Sequence, residues 1–444
     1  MRSGLKKSSG RRMETRIIMN RRKNWRGWAA VCLACALGFA GCKGTDRGGE
    51  DASEALSDSA SGEAQADEAK ERRALRGSGS LEYGPEAGRA LTKEQEKLLL
   101  DYMNLYFASL QDLESRGTDG LFADEKQEEL AQEAVELQIS LRKMQEADYT
   151  LASWSYVLTL EEVAPQEDGT IHILAQEDSV QNFSQTPDRD SRRYGSPHQF
   201  VLEEKEGAWK LESHMSFDPV WLMLWNEEGE LEAEDVMQKY ADAAPEYLER
   251  AGEALSDREK DREREAEAVE VQEPYDRQAA LRYARRYVQE RNGEWEDYGS
   301  RGGNCQNYAS QVLHAGGIPM DIYGDAVWKW YWDEVSNGPG ARGRSSSWTG
   351  VDEFMAYAEA NTGYGLAAEM DAPYYDGEPG DLLHMGMDGD WGHTVVVSAV
   401  VTDEEGRTVD YLVDSNTGDL SDYPASLYGY PEIVLTKIAG WNAE

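Results

Sequence analysis

The sequence predicts an α+β protein in which helices give way to strands twice along the chain. Apolar residues recur at three- and four-residue steps over 91–146, then alternate over 154–215. After an acidic, charged stretch the same change of period repeats over 275–416. A chain of 444 residues, 40% hydrophobic and 10% aromatic, is long enough for two such units plus solvated connections.

The N-terminus comes first. Residues 1–26 are rich in Lys and Arg, and the apolar run at 28–40 is too short to span a bilayer comfortably. It ends in Phe39-Ala40-Gly41-Cys42, which resembles a bacterial lipobox. Residues 1–42 are therefore expected to be a lipoprotein signal, lipidated at Cys42, that holds the protein on the extracytoplasmic face of the membrane. A membrane anchor or a cleaved signal without lipid is the alternative, and translation from Met13 or Met19 would give a shorter signal. Residues 43–90, dominated in their first part by Gly, Ser, Ala, Asp and Glu, are expected to form a disordered acidic tether.

Residues 91–225 carry the first folded unit. Leu98, Leu99, Tyr102, Met103 and Tyr106 line one helical face, and Leu130, Ala134, Leu137 and Leu141 line a second. Strands are predicted at 154–160, 170–175, 198–203 and 208–215, with turns at Gly169 and Gly207. Two helices followed by a meander loosely resemble an NTF2-like α+β cone in element order. His172, His198 and His214 fall in the strands without Cys partners or ligand spacing, so no metal is expected there. Residues 226–273 are acidic and poor in apolar residues towards their end, and are expected to be a charged helical spacer. Cleavage there is expected to release a folded C-terminal unit, 274–444.

That unit holds the chemistry. Three of the four cysteines, Cys32, Cys35 and Cys42, lie in the export signal, which leaves Cys305 alone in the body. Tyr308, Ala309, Val312 and Leu313 keep helical spacing from Cys305, and Gly316-Gly317 stops the helix. Cys305 thus sits at a helix N-terminus shortly after Gly302-Gly303, where the helix end favours thiolate and free N–H groups can hold an oxyanion. Farther on, His393 opens a strand, and folding the hairpin about Glu404 and Glu405 places it opposite Asn416, with Asp414 as the alternative orienting group. The order Cys, His, Asn is that of papain-like cysteine hydrolases. His314 and His384 read as structural. Trp328, Trp330 and Trp332 read mainly as core, with a substrate groove as the alternative. Tyr298 is a candidate oxyanion donor, and Thr349 a candidate N-cap.

Residues 275–437 resemble the bacterial putative amidase domain, a papain-like group akin to CHAP and NlpC-like cell-wall hydrolases. The likeness is carried by Tyr275-Asp276-Arg277-Gln278-Ala279-Ala280, Gly302-Gly303-Asn304-Cys305, Leu313-His314-Ala315-Gly316-Gly317-Ile318-Pro319-Met320, Ser347-Trp348-Thr349-Gly350-Val351, Trp391-Gly392-His393-Thr394-Val395-Val396-Val397 and Val413-Asp414-Ser415. It implies Cys305 as nucleophile and His393 as base. The chain departs from the pattern twice: Asn304 stands where Asp is usual before the cysteine, and Asn416 where His often follows the Asp-Ser pair. What the resemblance implies is a hydrolase of peptide or peptidoglycan-type amides that needs no cofactor. A non-catalytic surface binding module and a cysteine transacylase are the alternatives. With 85 acidic residues against 45 basic, a net charge of -40, nucleic acid is not an expected partner.

Overall fold

A computed structural model describes residues 74–216, 233–299, 303–323, 327–330 and 344–443. Cys42, Trp332 and the expected signal lie outside them. The described chain runs β1 (Gly77–Tyr83), α1 (Lys93–Asp112), α2 (Glu125–Met144), β2 (Leu151–Pro165), β3 (Ile171–Phe183), β4 (Ser191–Lys205) and β5 (Ala208–Ser216). It continues with α3 (Ala233–Asp261), β6 (Glu273–Pro274), α4 (Arg277–Tyr287), α5 (Cys305–Ala315), α6 (Val351–Ala360) and β7 (Gly365–Ala372). The last strands are β8 (Leu382–Met387), β9 (Asp390–Thr402), β10 (Thr408–Ser415), β11 (Leu420–Pro424) and β12 (Glu432–Asn442).

Both halves share one 12-stranded sheet, ordered β1-β2-β3-β4-β11-β10-β9-β8-β12-β6, with β5 on β4 and β7 on β12. The halves meet where β11 pairs antiparallel with β4, at Leu420↔Arg193 and Ser421↔Arg192. The largest core follows the sheet across that seam, from Leu99, Phe107 and Trp154 through Phe183 to Val395, Val413 and Leu435. A second core packs α5 and α6 on the sheet through Tyr308, Val312, Leu313, Trp328, Trp348, Phe354 and Val396. Trp328 and Trp330 are buried core residues. Among the described residues no helix is long and apolar enough to cross a membrane.

Local chemistry explains the element starts. Asp124 caps α2 through the backbone N–H groups of Lys126 and Gln127, Asp276 caps α4 through Ala279, and Thr92 with Gln95 forms a capping box on α1. Three expectations are corrected. Residues 77–83, expected within the tether, form a strand parallel to β2, because Gly77 and Gly79 leave room for Trp154 and Tyr156. The spacer helix α3 is not merely solvated: Tyr247 and Ala251 bury against Leu130, Ala134 and Leu137 of α2. Gly350, not Thr349, caps α6, since Ser346–Thr349 forms a helical turn of its own.

Candidate active site

Cys305 opens α5 and is buried. The preceding Asn304 occupies the N-cap position but makes no capping hydrogen bond with its side chain. Its Oδ1 accepts from the Tyr298 N–H at 3.1 Å and from Asn307 Nδ2 at 2.8 Å, while its Nδ2 donates to Asn416 Oδ1 at 2.7 Å. The first-turn N–H groups of α5 are thus not covered by the side chain that usually takes them, which leaves a partial positive charge beside the thiol. The Asn304 N–H itself donates to Thr417 Oγ1 at 2.7 Å, tying the helix start to the turn after β10.

Cys305 Sγ lies 4.0 Å from the Gly392 carbonyl oxygen, one residue before His393. α5 packs on the sheet face that carries Thr394, whose hydroxyl donates to Gln306 Oε1 at 2.9 Å. Side chains alternate along a strand, so His393 projects from the other face. There Nε2 lies 3.1 Å from Ser415 Oγ, and the imidazole packs against Tyr428 and Tyr430, with ring centroids 5.4 and 6.4 Å away. Burial lowers the imidazole pKa to about 4, so the ring is neutral at neutral pH.

Neither expected orienting group holds His393. The β9–β10 ladder shifts register between Leu412 and Val413, pairs Asp414 with Val396, and ends at Ser415. Asn416 therefore falls in the following turn, where its amide donates to Tyr287 O at 2.9 Å and Val288 O at 3.3 Å as well as accepting from Asn304. Asp414 is buried beside Arg285, 3.4 Å away, and accepts the Asp422 N–H at 3.0 Å. Burial raises its pKa to about 6 despite that cation. The sequence reading missed Ser415 as the partner of His393, although it stands in the quoted Asp414-Ser415 pair. The hairpin count could not find it, because the register shift is invisible in residue spacing.

The remaining candidates are placed as follows. The Tyr298 hydroxyl accepts from Arg344 Nε at 2.9 Å. His384 is held between Thr394 Oγ1 and Thr436 Oγ1, each 2.9 Å away, and His314 Nδ1 lies 2.9 Å from Ile318 O. In the N-terminal unit Tyr102, His214, His198 and Glu177 form a buried chain of contacts of 2.8, 3.0 and 3.2 Å. Among the described residues no group of three or more His, Cys, Asp or Glu is arranged to hold a metal ion.

Comparison with known proteins finds similarity over part of the chain. The uncharacterized protein YhbB of Bacillus subtilis (strain 168) is 32% identical over 139 residues, which are 31% of this chain and 41% of that protein. The chain thus spans less than half the length of that relative. No solved structure matches. The family model described as a putative amidase domain matches residues 274–437. That span, which holds Cys305, His393 and the strands between them, is where the chain matches the putative amidase domain family.

Proposed function

We propose that the protein is a surface-anchored cysteine amidohydrolase with a papain-like C-terminal unit, acting on an amide of peptide or cell-wall peptide. The observation that carries this reading is the placement of Cys305 at the first residue of α5, with its sulfur 4.0 Å from the carbonyl oxygen of the residue preceding His393. In this reading the His393 ring, which lies on the face opposite α5, first turns at the start of β9 to reach the thiol; it then takes the thiol proton and Cys305 attacks the amide carbonyl. The tetrahedral oxyanion accepts from N–H groups at the start of α5. Return of the proton to the departing amine breaks the C–N bond and leaves a thioester. His393 then takes a proton from water, whose oxygen attacks the thioester, giving a carboxylate and restoring the thiol. The lipid anchor at Cys42 and the NTF2-like likeness of residues 91–225 belong to the same proposal, with the first unit holding the second near the wall.

Mass spectrometry of peptidoglycan fragments incubated with the protein tests it. The expected result is a new amine and carboxylate pair with the wild type and none with Cys305→Ala; unchanged fragments in both overturn the substrate class. A non-catalytic binding module is the second reading, favoured by the contact of His393 with Ser415 rather than with the thiol. Labelling of Cys305 by iodoacetamide at mildly acidic pH separates the two, since an activated thiolate reacts there and an ordinary buried thiol does not.

A further inference from the structure

We infer that Ser415 sets the tautomer of His393, keeping the ring proton on Nε2 and the lone pair on Nδ1. The argument is a count of hydrogens. Ser415 Oγ contacts His393 Nε2 at 3.1 Å, Thr417 O at 3.1 Å and Gly418 O at 3.3 Å. A carbonyl oxygen can only accept, and a hydroxyl has one hydrogen, so that hydrogen goes to the two carbonyls. Towards His393, Ser415 has only lone pairs to offer. The ring nitrogen at that contact must therefore be the donor. A neutral imidazole carries one N–H, which leaves Nδ1 bare.

The turn after β10 builds this arrangement. Thr417 and Gly418 both have positive φ, 101° and 63°, which curls their carbonyls back onto the serine. The same turn anchors the start of α5, since Thr417 Oγ1 accepts the Asn304 N–H. One short loop thus positions the partner of His393 and the residue before Cys305. Orienting carboxamides and carboxylates select a tautomer by being acceptors; here a serine becomes one by committing its proton to the backbone. Ser415 positions the resting ring, and its importance for the reaction rests on the cysteine amidohydrolase reading, in which Nδ1 becomes the base once the ring turns to the thiol.

The test is a long-range proton–nitrogen correlation spectrum of the full chain, labelled at histidine and recorded at neutral pH. The His393 signals are assigned by their loss in His393→Gln. The expected wild-type pattern has Nε2 in the protonated region and Nδ1 in the unprotonated region. Ser415→Ala should give a mixture of tautomers or reverse them, with kcat falling about 10- to 100-fold and KM little changed. A wild-type ring protonated on Nδ1, or a Ser415→Ala ring identical to wild type, overturns the inference. The wild-type spectrum decides even if Ser415→Ala does not fold. An Nε2–H ring in a protein that hydrolyses nothing upholds the tautomer and defeats the amidase reading, so the two failures are distinguishable.

Discussion

His393 and His384 are buried on β9 and β8, and burial lowers their pKa values to about 4 and about 3. Both are held below the roughly 6.5 of an unfolded histidine. Between those values the unfolded chain binds more protons, so each histidine makes stability rise with pH across the window. Above pH 6.5 neither costs anything; as pH falls to 4, His393 alone costs on the order of 3 kcal/mol. Buried Asp414, raised to about 6, works in the opposite direction, so total stability does not isolate the effect. The difference between wild type and His393→Gln does. Urea melts at pH 7 and pH 4.5 should show wild type losing more stability than the variant, and parallel losses would refute the assignment.

Asn304 and Asn416 supply a second residue-scale prediction. They are the two departures from the family pattern, and they contact each other at 2.7 Å. Asn304→Asp would set two acceptors face to face, and Asn416 cannot turn round because its amide already serves Tyr287 O and Val288 O. Asn304→Asp should cost about 1–3 kcal/mol. Adding Asn416→His supplies an N–H for the carboxylate and should recover about 0.5–3 kcal/mol in a double-mutant cycle. Sequence comparison with the family flagged both positions, but only the fold shows that they form a pair.

At the scale of elements, what was legible was periodic or capped. The stripe Leu98, Leu99, Tyr102, Met103 and Tyr106 is the buried face of α1, and Cys305 does begin a helix that ends before Gly316. Strand β1 was illegible because it carries Gly77, Ser78, Gly79 and Ser80, a composition that reads as linker. A Cβ on Gly79 would stand 1.9 Å from the Tyr156 ring, and one on Gly77 1.9 Å from the Trp154 carbonyl oxygen. Gly79→Val should therefore detach β1 from β2, at a cost of about 1–3 kcal/mol. Hydrogen exchange checks this: protection should vanish over 77–83 while α5 and β9 keep theirs.

For the whole molecule, the continuous sheet changes the expectation of separable units. Besides the β4–β11 pairing, Tyr194 N–H donates to Asp419 O at 2.9 Å, Gln185 Nε2 to Thr402 O at 2.8 Å, and the Tyr149 hydroxyl to Asp410. A fragment of residues 274–444 would expose β11 as an open edge and uncover the part of the core that Phe183 shares with Tyr423. The full chain should melt in one transition by calorimetry. The fragment should lose that transition or aggregate, and a fragment that melts cooperatively at the full-length temperature would restore the two-unit picture. This joint could not be read from the sequence, because each half has plausible local patterns and nothing local says that β4 pairs with a strand from the far end of the chain.

That joint also sets a schedule. Arg192 and Arg193 must wait for Leu420 and Ser421, about 230 residues later in the chain. At bacterial-range synthesis rates the wait is roughly 10–45 s, long compared with the microseconds in which β-hairpins form. For that time β5 covers β4 only from His198 to Lys205, and the stretch around Arg192 and Arg193 keeps one unpaired edge, able to recruit another extended chain. Release of the chain only after synthesis is complete, or a holding chaperone that covers β4, would shorten the exposure. Slow translation should lengthen it, and misassembly should rise with it.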